Sequence, residues 1–300
     1  MNILVTGTGL ISSSLCKILK ENGYSVRLLS RNLKKGAEFP VYRWNPEKGE
    51  IDPQALNGVT TIIHLAGAGI GDQRWTVQRR QNIIDSRVNT AKLLFQEVKR
   101  LGIPLKSFIS SSATGYYGAV TSNHVFREDD LPSDDFLGTT CRLWEEAADR
   151  FADAGVRVVK IRTGIVLSGE GGALPKMTAS LKFGICPVPG SGKQWLPWIH
   201  LEDLCGIYVR ALEDDSFSGA FNAVAPGPVT MKEFMKEAAH AMKRPFLPFP
   251  VPSFVLKAVL GEMASLLLEG SRVSAEKIQE TGYEFRFSDL PAALKEITLV

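Results

Sequence analysis

The chain has 300 residues, of which 44% are hydrophobic and 22% charged, with a formal net charge of +3. That length suits one large domain with an appendage, and the composition is that of a globular protein. A charge this small, without any long basic run, excludes nucleic acid and an anionic membrane surface as expected partners.

The first apolar run, NILVT (2–6), stops at a glycine turn and reads as a strand, not a signal peptide. In chain order there follow a helix at 12–23, strands at 24–30 and 59–67, and a helix at 80–102. A strand at 106–112, a helix at 138–155 and a strand at 156–164 complete the series. On the helix at 80–102, Ile83, Ile84, Val88, Ala91, Leu94, Phe95 and Val98 form one stripe, which Gly102 and Pro104 close. Strands alternating with helices predict βαβ units and an α/β, doubly wound parallel sheet.

After about residue 165 the pattern loosens into Gly/Pro-rich loops such as LSGEGGALP and CPVPGSGKQWLPW. These read either as a small substrate lobe or as irregular connections. Prolines at 245, 248, 250 and 252 read as a stiff linker. It divides a nucleotide-binding domain, 1–243, from a small C-terminal appendage, 244–300, with two helical segments and a YEFRF run. The greasiest stretch, near residue 260, is broken by Lys257 and Glu262 and falls short of a membrane span. Cys16, Cys141, Cys186 and Cys205 are scattered without metal-ligand spacing, which predicts no metal site, free thiols and a cytoplasmic location.

The stretch TGTGLIS places Gly7, Thr8 and Gly9 directly after the first strand, at the mouth of a helix, the context of a dinucleotide-binding turn. Gly7 permits the tight turn, and Gly9 lets the backbone approach a pyrophosphate. The helix start at Leu10 and Ile11 offers unpaired N–H groups to the anion. Ser12 stands where a third glycine would pack helix on strand; its hydroxyl can instead meet a phosphate oxygen or cap the helix. An NAD site places Asp or Glu about twenty residues further on. Here the second strand ends in Ser30-Arg31, with Lys34 and Lys35 behind. A planar cation there suits the 2′-phosphate of NADP, so NADP (NADPH) is the expected cofactor ahead of NAD. The plainer alternatives are a glycine turn without ligand and a solvated basic loop.

Seven stretches, the glycine turn among them, carry a resemblance: VTGTGLIS (5–12), YRWNPEKGEID (42–52), IIHLAGAGIGDQRWT (62–76), IIDSRVNTAKLL (83–94), FISSSATGYYG (108–118), IRTGIVLSGEGGALPKM (161–177) and WLPWIHLEDL (195–204). With the tail from Pro250 to Phe287, they resemble the extended, nucleoside-diphosphate-sugar-epimerase type of the short-chain dehydrogenase/reductase superfamily. The nearest likeness is to its atypical, cell-division-inhibitor-like branch, which ends in a small domain of unknown function. The resemblance implies a Rossmann fold and assigns Leu65, Ala66 and Gly67 to the adenosine ribose and pyrophosphate. It sets Ser110 and Ser111 beside the nicotinamide and aligns Ser112 with the catalytic serine. Arg162 is implied in a cofactor-side loop, and Trp198 to His200 with Asp203 where a substrate lobe joins the core. The family's glycine loop, TGGTGFIG, is one residue longer than the loop here.

The superfamily's chemistry rests on a Tyr-x-x-x-Lys pair in which lysine lowers the tyrosine pKa. At that position this chain has Leu137 and Cys141, or Gly138 and Arg142 with a one-residue slip. Tyr116 or Tyr117 can replace the missing acid, or the protein binds NADP and catalyses nothing. Cys141 reads as an acid/base or redox centre or as a buried thiol, and Arg142 as an anion ligand or an exposed charge. His200 reads as a general acid or a structural histidine. Arg74, Trp75, Lys193, Trp195 and Trp198 read as ligand contacts or as packing, and Glu145 and Glu146 as a solvated helix face. The expected function is an NADP-dependent oxidoreductase or epimerase of a small hydroxy or carbonyl substrate; the alternative is a non-catalytic NADP-binding sensor. Dimerisation through the helices at 80–102 and 138–155 is a habit of the family.

Overall fold

Short apolar runs that lack alternation must bury both faces, and the computed structural model, which describes residues 1–33 and 37–299, shows how they do so. Lys34 and Lys35 lie outside the described residues. Eight strands form one sheet: β1 (Asn2–Thr6), β2 (Ser25–Ser30), β3 (Val41–Asn45), β4 (Glu50–Ile51), β5 (Thr61–His64), β6 (Ser107–Ala113), β8 (Arg157–Thr163) and β13 (Gly219–Ala223). Their order is β13-β8-β6-β5-β1-β2-β3-β4, parallel throughout except for the β3–β4 hairpin. Short ladders pair β7 (Val125–Phe126) with β16 (Arg272–Val273) and β9 (Ile165–Leu167) with β12 (Trp198–His200). Two more pair β10 (Cys186–Pro189) with β15 (Pro248–Val251) and β11 (Trp195–Leu196) with β14 (Val229–Thr230).

Alternation along each strand feeds two cores. Ile3, Val5, Ile63, Ile109 and Val159 pack beneath α1 (Leu10–Glu21) and α5 (Leu201–Glu213). Their neighbours Leu4, Ile62, Phe108 and Val158 pack beneath α2 (Val77–Arg100) and α3 (Phe136–Asp153). Burial on both faces is why these strands read as unbroken apolar runs. The sequence reading missed the outer strands β3 and β13, which are too short to show a period. It also overextended β5, because Leu65, Ala66 and Gly67 leave the sheet as a loop.

The later part of the chain builds a third core. Leu167, Leu174, Trp198, Phe234 and Met235 meet Phe287, Leu290, Ala293 and Leu294, so residues on both sides of position 244 share it. α4 (Ala173–Thr178), α6 (Met231–Ala241) and α10 (Leu290–Leu299) carry much of this core. The expected proline linker is in fact β15, laid parallel to the equally proline-bearing β10. A two-stranded edge ladder tolerates the missing N–H groups. YEFRF forms no strand. The Asp203 carboxylate accepts from the Arg286 and Phe287 amides at 2.8 and 2.9 Å, and the Asp203 carbonyl accepts from the Tyr283 hydroxyl at 3.0 Å. Between these parts run α7 (Ser253–Leu260), α8 (Ser265–Leu268) and α9 (Glu276–Glu280). Among the described residues, no helix is long and apolar enough to cross a membrane.

Candidate functional site

The turn between β1 and α1 has the shape that its glycines demand. Gly7 adopts φ +91°, and a Cβ there would lie 3.3 Å from the Leu65 carbonyl oxygen and 3.4 Å from the Ala66 amide nitrogen. Gly9 is the N-cap of α1; it offers no side-chain cap to the first-turn N–H groups, and a Cβ on it would meet nothing within 4 Å. Thr8, Leu10 and Ile11 complete this open, amide-rich turn. Ser12 does not cap: it is buried in the first turn of the helix. Arg31 is exposed just past β2, where the Ser30 hydroxyl holds the turn through the Asn32 amide and carbonyl.

The loop that carries Leu65, Ala66 and Gly67 is pinned from two sides. Thr6 Oγ1 accepts from the Leu65 and Ala66 amides at 3.2 and 3.3 Å and donates to His64 Nδ1 at 2.8 Å. His64 Nε2 then faces Thr90 Oγ1 on α2 at 3.2 Å, and that hydroxyl donates to the Ser86 and Arg87 carbonyls. These roles require a neutral imidazole with its proton on Nε2, and burial pushes the His64 pKa down to about 4. From the other side, the Ala68 amide donates to Ser86 Oγ at 2.9 Å.

At the end of β6, Ser112 is buried and donates its hydroxyl proton to Glu145 Oε1 at 2.7 Å. Glu145 in turn takes Arg162 Nε at 2.8 Å and Nη2 at 2.9 Å, with both side chains about as buried as the core. Arg162 Nη1 donates to the Tyr117 hydroxyl and the Glu128 carbonyl, both at 3.0 Å, while Tyr117 donates to Asn222 Oδ1 at 2.7 Å. This corrects three expectations. Glu145 is not a solvated helix residue. Arg162 lies within β8, not on a loop, and protein groups take all three of its nitrogens. The Tyr117 hydroxyl is engaged on both sides, and burial pushes its pKa up. Tyr116 is half-buried, its ring 3.5 Å from the Arg162 guanidinium carbon. Ser110 is buried, with its hydroxyl on the Ser111 carbonyl, and Ser111 accepts from the Tyr208 hydroxyl at 3.0 Å.

Leu137 and Cys141 face this strand end from α3: a Cβ on Gly115 would lie 3.4 Å from Leu137 Cβ and 3.8 Å from Cys141 Sγ. Burial, with Glu145 adding, pushes the Cys141 thiol up to about 12. It is a buried thiol, not a poised nucleophile. A cavity of about 680 Å³ opens at Leu137. Trp75, Arg80, Phe136 and Leu137 wall one side, and residues from Lys257 to Glu269 wall the other. Trp75 packs edge-on against Phe136 at 4.8 Å and donates its indole N–H to the Ile70 carbonyl. Arg74 reaches Gly261 from outside, and Arg142 points outward to Glu146.

Three other candidates are structural. His200 caps α5 by accepting from the Glu202 amide at 3.2 Å and lies against Phe287, with its pKa lowered by burial. Trp198 is buried with its N–H on the Gly227 carbonyl, and Trp195 donates to the Ser122 carbonyl. Lys193 is exposed. The sequence reading passed over Arg87 and took Glu145 for a solvated residue, although both charges stand on otherwise core-facing stripes. Arg87 continues the line Ile83–Ala91 at steps of four, and Glu145 the line Leu137–Cys141. A charge at such a position was the signal that could have singled them out.

Comparison with known proteins agrees with this layout. Residues 3–223 match the model of the NAD dependent epimerase/dehydratase family, and residues 251–297 that of a domain of unknown function. The epimerase family protein YfhF of Bacillus subtilis is 38% identical over 99% of this chain and 98% of its own. The Arabidopsis thaliana chloroplastic homolog of epimerase family protein SDR39U1 is 33% identical over 99% and 86%. The crystal structure of human SDR39U1 isoform 2 with NADPH superposes with a TM-score of 0.87 at 33% identity, covering 100% of this chain and 99% of that one. With a family model spanning most of its length and relatives above 30% identity over nearly all of it, this chain belongs to the NAD-dependent epimerase/dehydratase family, in its atypical SDR39U1-like branch.

Proposed function

We propose that the protein is an NADP(H)-dependent oxidoreductase or epimerase acting on a small hydroxylated or carbonyl compound. The observation that carries this reading is the cavity of about 680 Å³ at Leu137, a side chain that also packs against Gly115 in the turn that follows Ser112. Its size suits a small-molecule site. The residues fit a dinucleotide: the turn at Gly7 would be crowded by a Cβ, and the amides at Leu10 and Ile11 have no cap. The related human protein was crystallised with NADPH. When bound, the nicotinamide would supply or take up the hydride.

The chain's own residues then divide the work. Thr8, Gly9, Leu10 and Ile11 meet the pyrophosphate with backbone N–H groups, Gly7 shapes their turn with its own N–H on the Leu29 carbonyl, and Arg31 meets the 2′-phosphate. Thr6 and Ser86 hold Leu65, Ala66 and Gly67 in place as a wall for the adenosine half. Ser112 gives its proton to Glu145, so its oxygen presents lone pairs to a hydroxyl-bearing ligand; Arg162 holds Glu145 and does not touch ligand.

The test is titration calorimetry with NADPH and NADH, followed by turnover of a panel of aldehydes, ketones and alcohols. The reading expects preferential NADPH binding and turnover that falls about a hundredfold in Ser112→Ala while NADPH binding persists. NADPH binding with no turnover of any compound would favour the sensor, and absence of binding would remove both readings.

A further inference from the structure

The glycine turn, the pinned loop and the cavity lie along one path, and the half-buried Arg87 guanidinium stands in the middle of it. A Cβ on Gly7 would press against Leu65 and Ala66. One residue on, a Cβ on Gly67 would come within 3.1 Å of Arg87 Cζ and 3.3 Å of Nη2. The Arg87 guanidinium also lies 5.0 Å from the Trp144 ring centre and close enough to Cys141 for its charge to oppose the rise of that thiol's pKa. Cys141 borders Gly115 and Leu137, and Leu137 borders the cavity. Arg87 therefore sits between the pyrophosphate turn and the place where a reaction would occur.

Its bonding is incomplete. Nη1 donates to the Ile83 carbonyl at 2.9 Å and to Ser86 Oγ at 3.4 Å, and no carboxylate among the described residues pairs with it. Burial lowers its pKa, with Arg79 adding to the repulsion. The neighbouring Trp144 Nε1 and Arg79 Nε are buried without partners. A desolvated guanidinium with donors to spare is costly unless an oxygen-rich group meets it. The backbone supports this cation with care: the Thr90 hydroxyl that completes the His64 relay accepts nothing from Arg87's side chain but binds its carbonyl, fixing the turn of α2 that carries it.

We propose that Arg87 is a cofactor-binding residue that holds the oxygens of the nicotinamide-side half of the dinucleotide, its ribose hydroxyls and adjoining phosphate. Arg87 thus supplies from α2 a cation where α3 carries Cys141. The assignment rests on the cofactor reading above. It adds a contact on the reactive half, whereas Arg31 and the glycine turn serve the adenosine half and the pyrophosphate.

The experiment compares NADPH with adenosine 2′,5′-bisphosphate, which has only the adenosine half, on the wild-type protein, Arg87→Met and Arg87→Lys. Calorimetry is the readout, and no turnover is needed. Arg87→Met should weaken NADPH binding about tenfold to a hundredfold, as expected for loss of charge-assisted hydrogen bonds. It should leave the bisphosphate unchanged, and the melting temperature of the ligand-free protein should hold or rise, because a half-buried charge without a carboxylate partner has been removed. Arg87→Lys should recover part of the NADPH affinity, and it carries the test if the methionine variant does not fold. Wild-type NADPH affinity in Arg87→Met would overturn this proposal alone, as would equal loss of both ligands. Wild-type protein that binds neither ligand would overturn the cofactor reading itself.

Discussion

Replacing Glu145 by Gln removes one charge from a pair that the fold keeps dry. The side chains of Arg162 and Glu145 are 4% and 6% exposed, and two hydrogen bonds of 2.8 and 2.9 Å join them. Glu145→Gln keeps the volume but leaves the guanidinium without its counter-charge and turns an amide N–H group toward its donors. Breaking one side of such a buried pair costs about 3–5 kcal/mol. At about 2.1 cal/mol/K per residue, 300 residues give an unfolding entropy near 0.6 kcal/mol/K, so about 4 kcal/mol lowers the melting temperature by about 6 °C. Glu146→Gln, one residue along, removes only an exposed pair with Arg142 and should cost about 0.5 kcal/mol, or about 1 °C. The double variant Glu145→Leu/Arg162→Met should recover much of the single-variant loss, because neither charge is left unpaired. Scanning calorimetry on these four proteins and on the single variants Glu145→Leu and Arg162→Met decides the matter. Equal melting temperatures for Glu145→Gln and Glu146→Gln would refute the reasoning, as would a double variant that loses the sum of its parts.

Arg31→Asp should shift preference from NADPH to NADH in parallel fluorescence titrations, and an unchanged NADPH dissociation constant would sink the assignment of Arg31 to the 2′-phosphate. His64 predicts a pH signature. The unfolded histidine takes a proton below about pH 6.5, while the folded one stays neutral to about pH 4. Stability should therefore fall by about 3 kcal/mol as pH drops through that window, then level off in this contribution. Chemical denaturation of His64→Gln should show a shallower fall over the same range. Gly7→Ala and Gly9→Ala should separate folding from binding. At φ +91° the first costs about 1–3 kcal/mol, whereas the second meets no neighbour and should weaken NADPH binding with little change in melting temperature.

What could be read from the sequence, and what could not, follows from the range of each signal. The glycine turn, β1, the helix at 80–102 and the strand–helix alternation are local patterns, each declared within a few residues, and they carried the fold. β13 is a five-residue strand at the sheet edge, GAFNA, with Phe221 as its one large apolar side chain, and has meaning only beside β8. RPFLPFPVPS looked like a linker because prolines oppose ladder pairing, but pairing with β10 at a sheet edge suspends that objection. Glu145 was misread for a related reason. Charge on a helix is normally solvated, and the partner that makes its burial tolerable, Arg162, is 17 residues away on a strand. The cavity was the least legible of all, because one wall comes from α3 and the other from a segment more than a hundred residues later.

The commitments on α3 also limit the proton chemistry of the proposed reaction. Leu137 has no proton to give, and the Cys141 thiol, pushed up to about 12, stays protonated near neutrality. Glu145 is held by Arg162 and Ser112, and the Tyr117 hydroxyl lies between Arg162 and Asn222. Leu137, Cys141, Glu145 and Tyr117 are thus not free to cycle a proton, which leaves Tyr116, the Asp135, Lys257, Glu262 and Glu269 side chains that line the cavity, and water. Reduction of a carbonyl needs one proton on one oxygen, which solvent can deliver as the hydride arrives. Epimerisation through a ketone needs the proton removed and restored at the same oxygen, before the intermediate escapes from a site open to solvent. Within the proposed function, this arrangement favours a reductase over an epimerase. A substrate carbinol incubated with NADP and protein should accordingly give ketone and NADPH; accumulation of the opposite epimer without net NADPH would refute the preference.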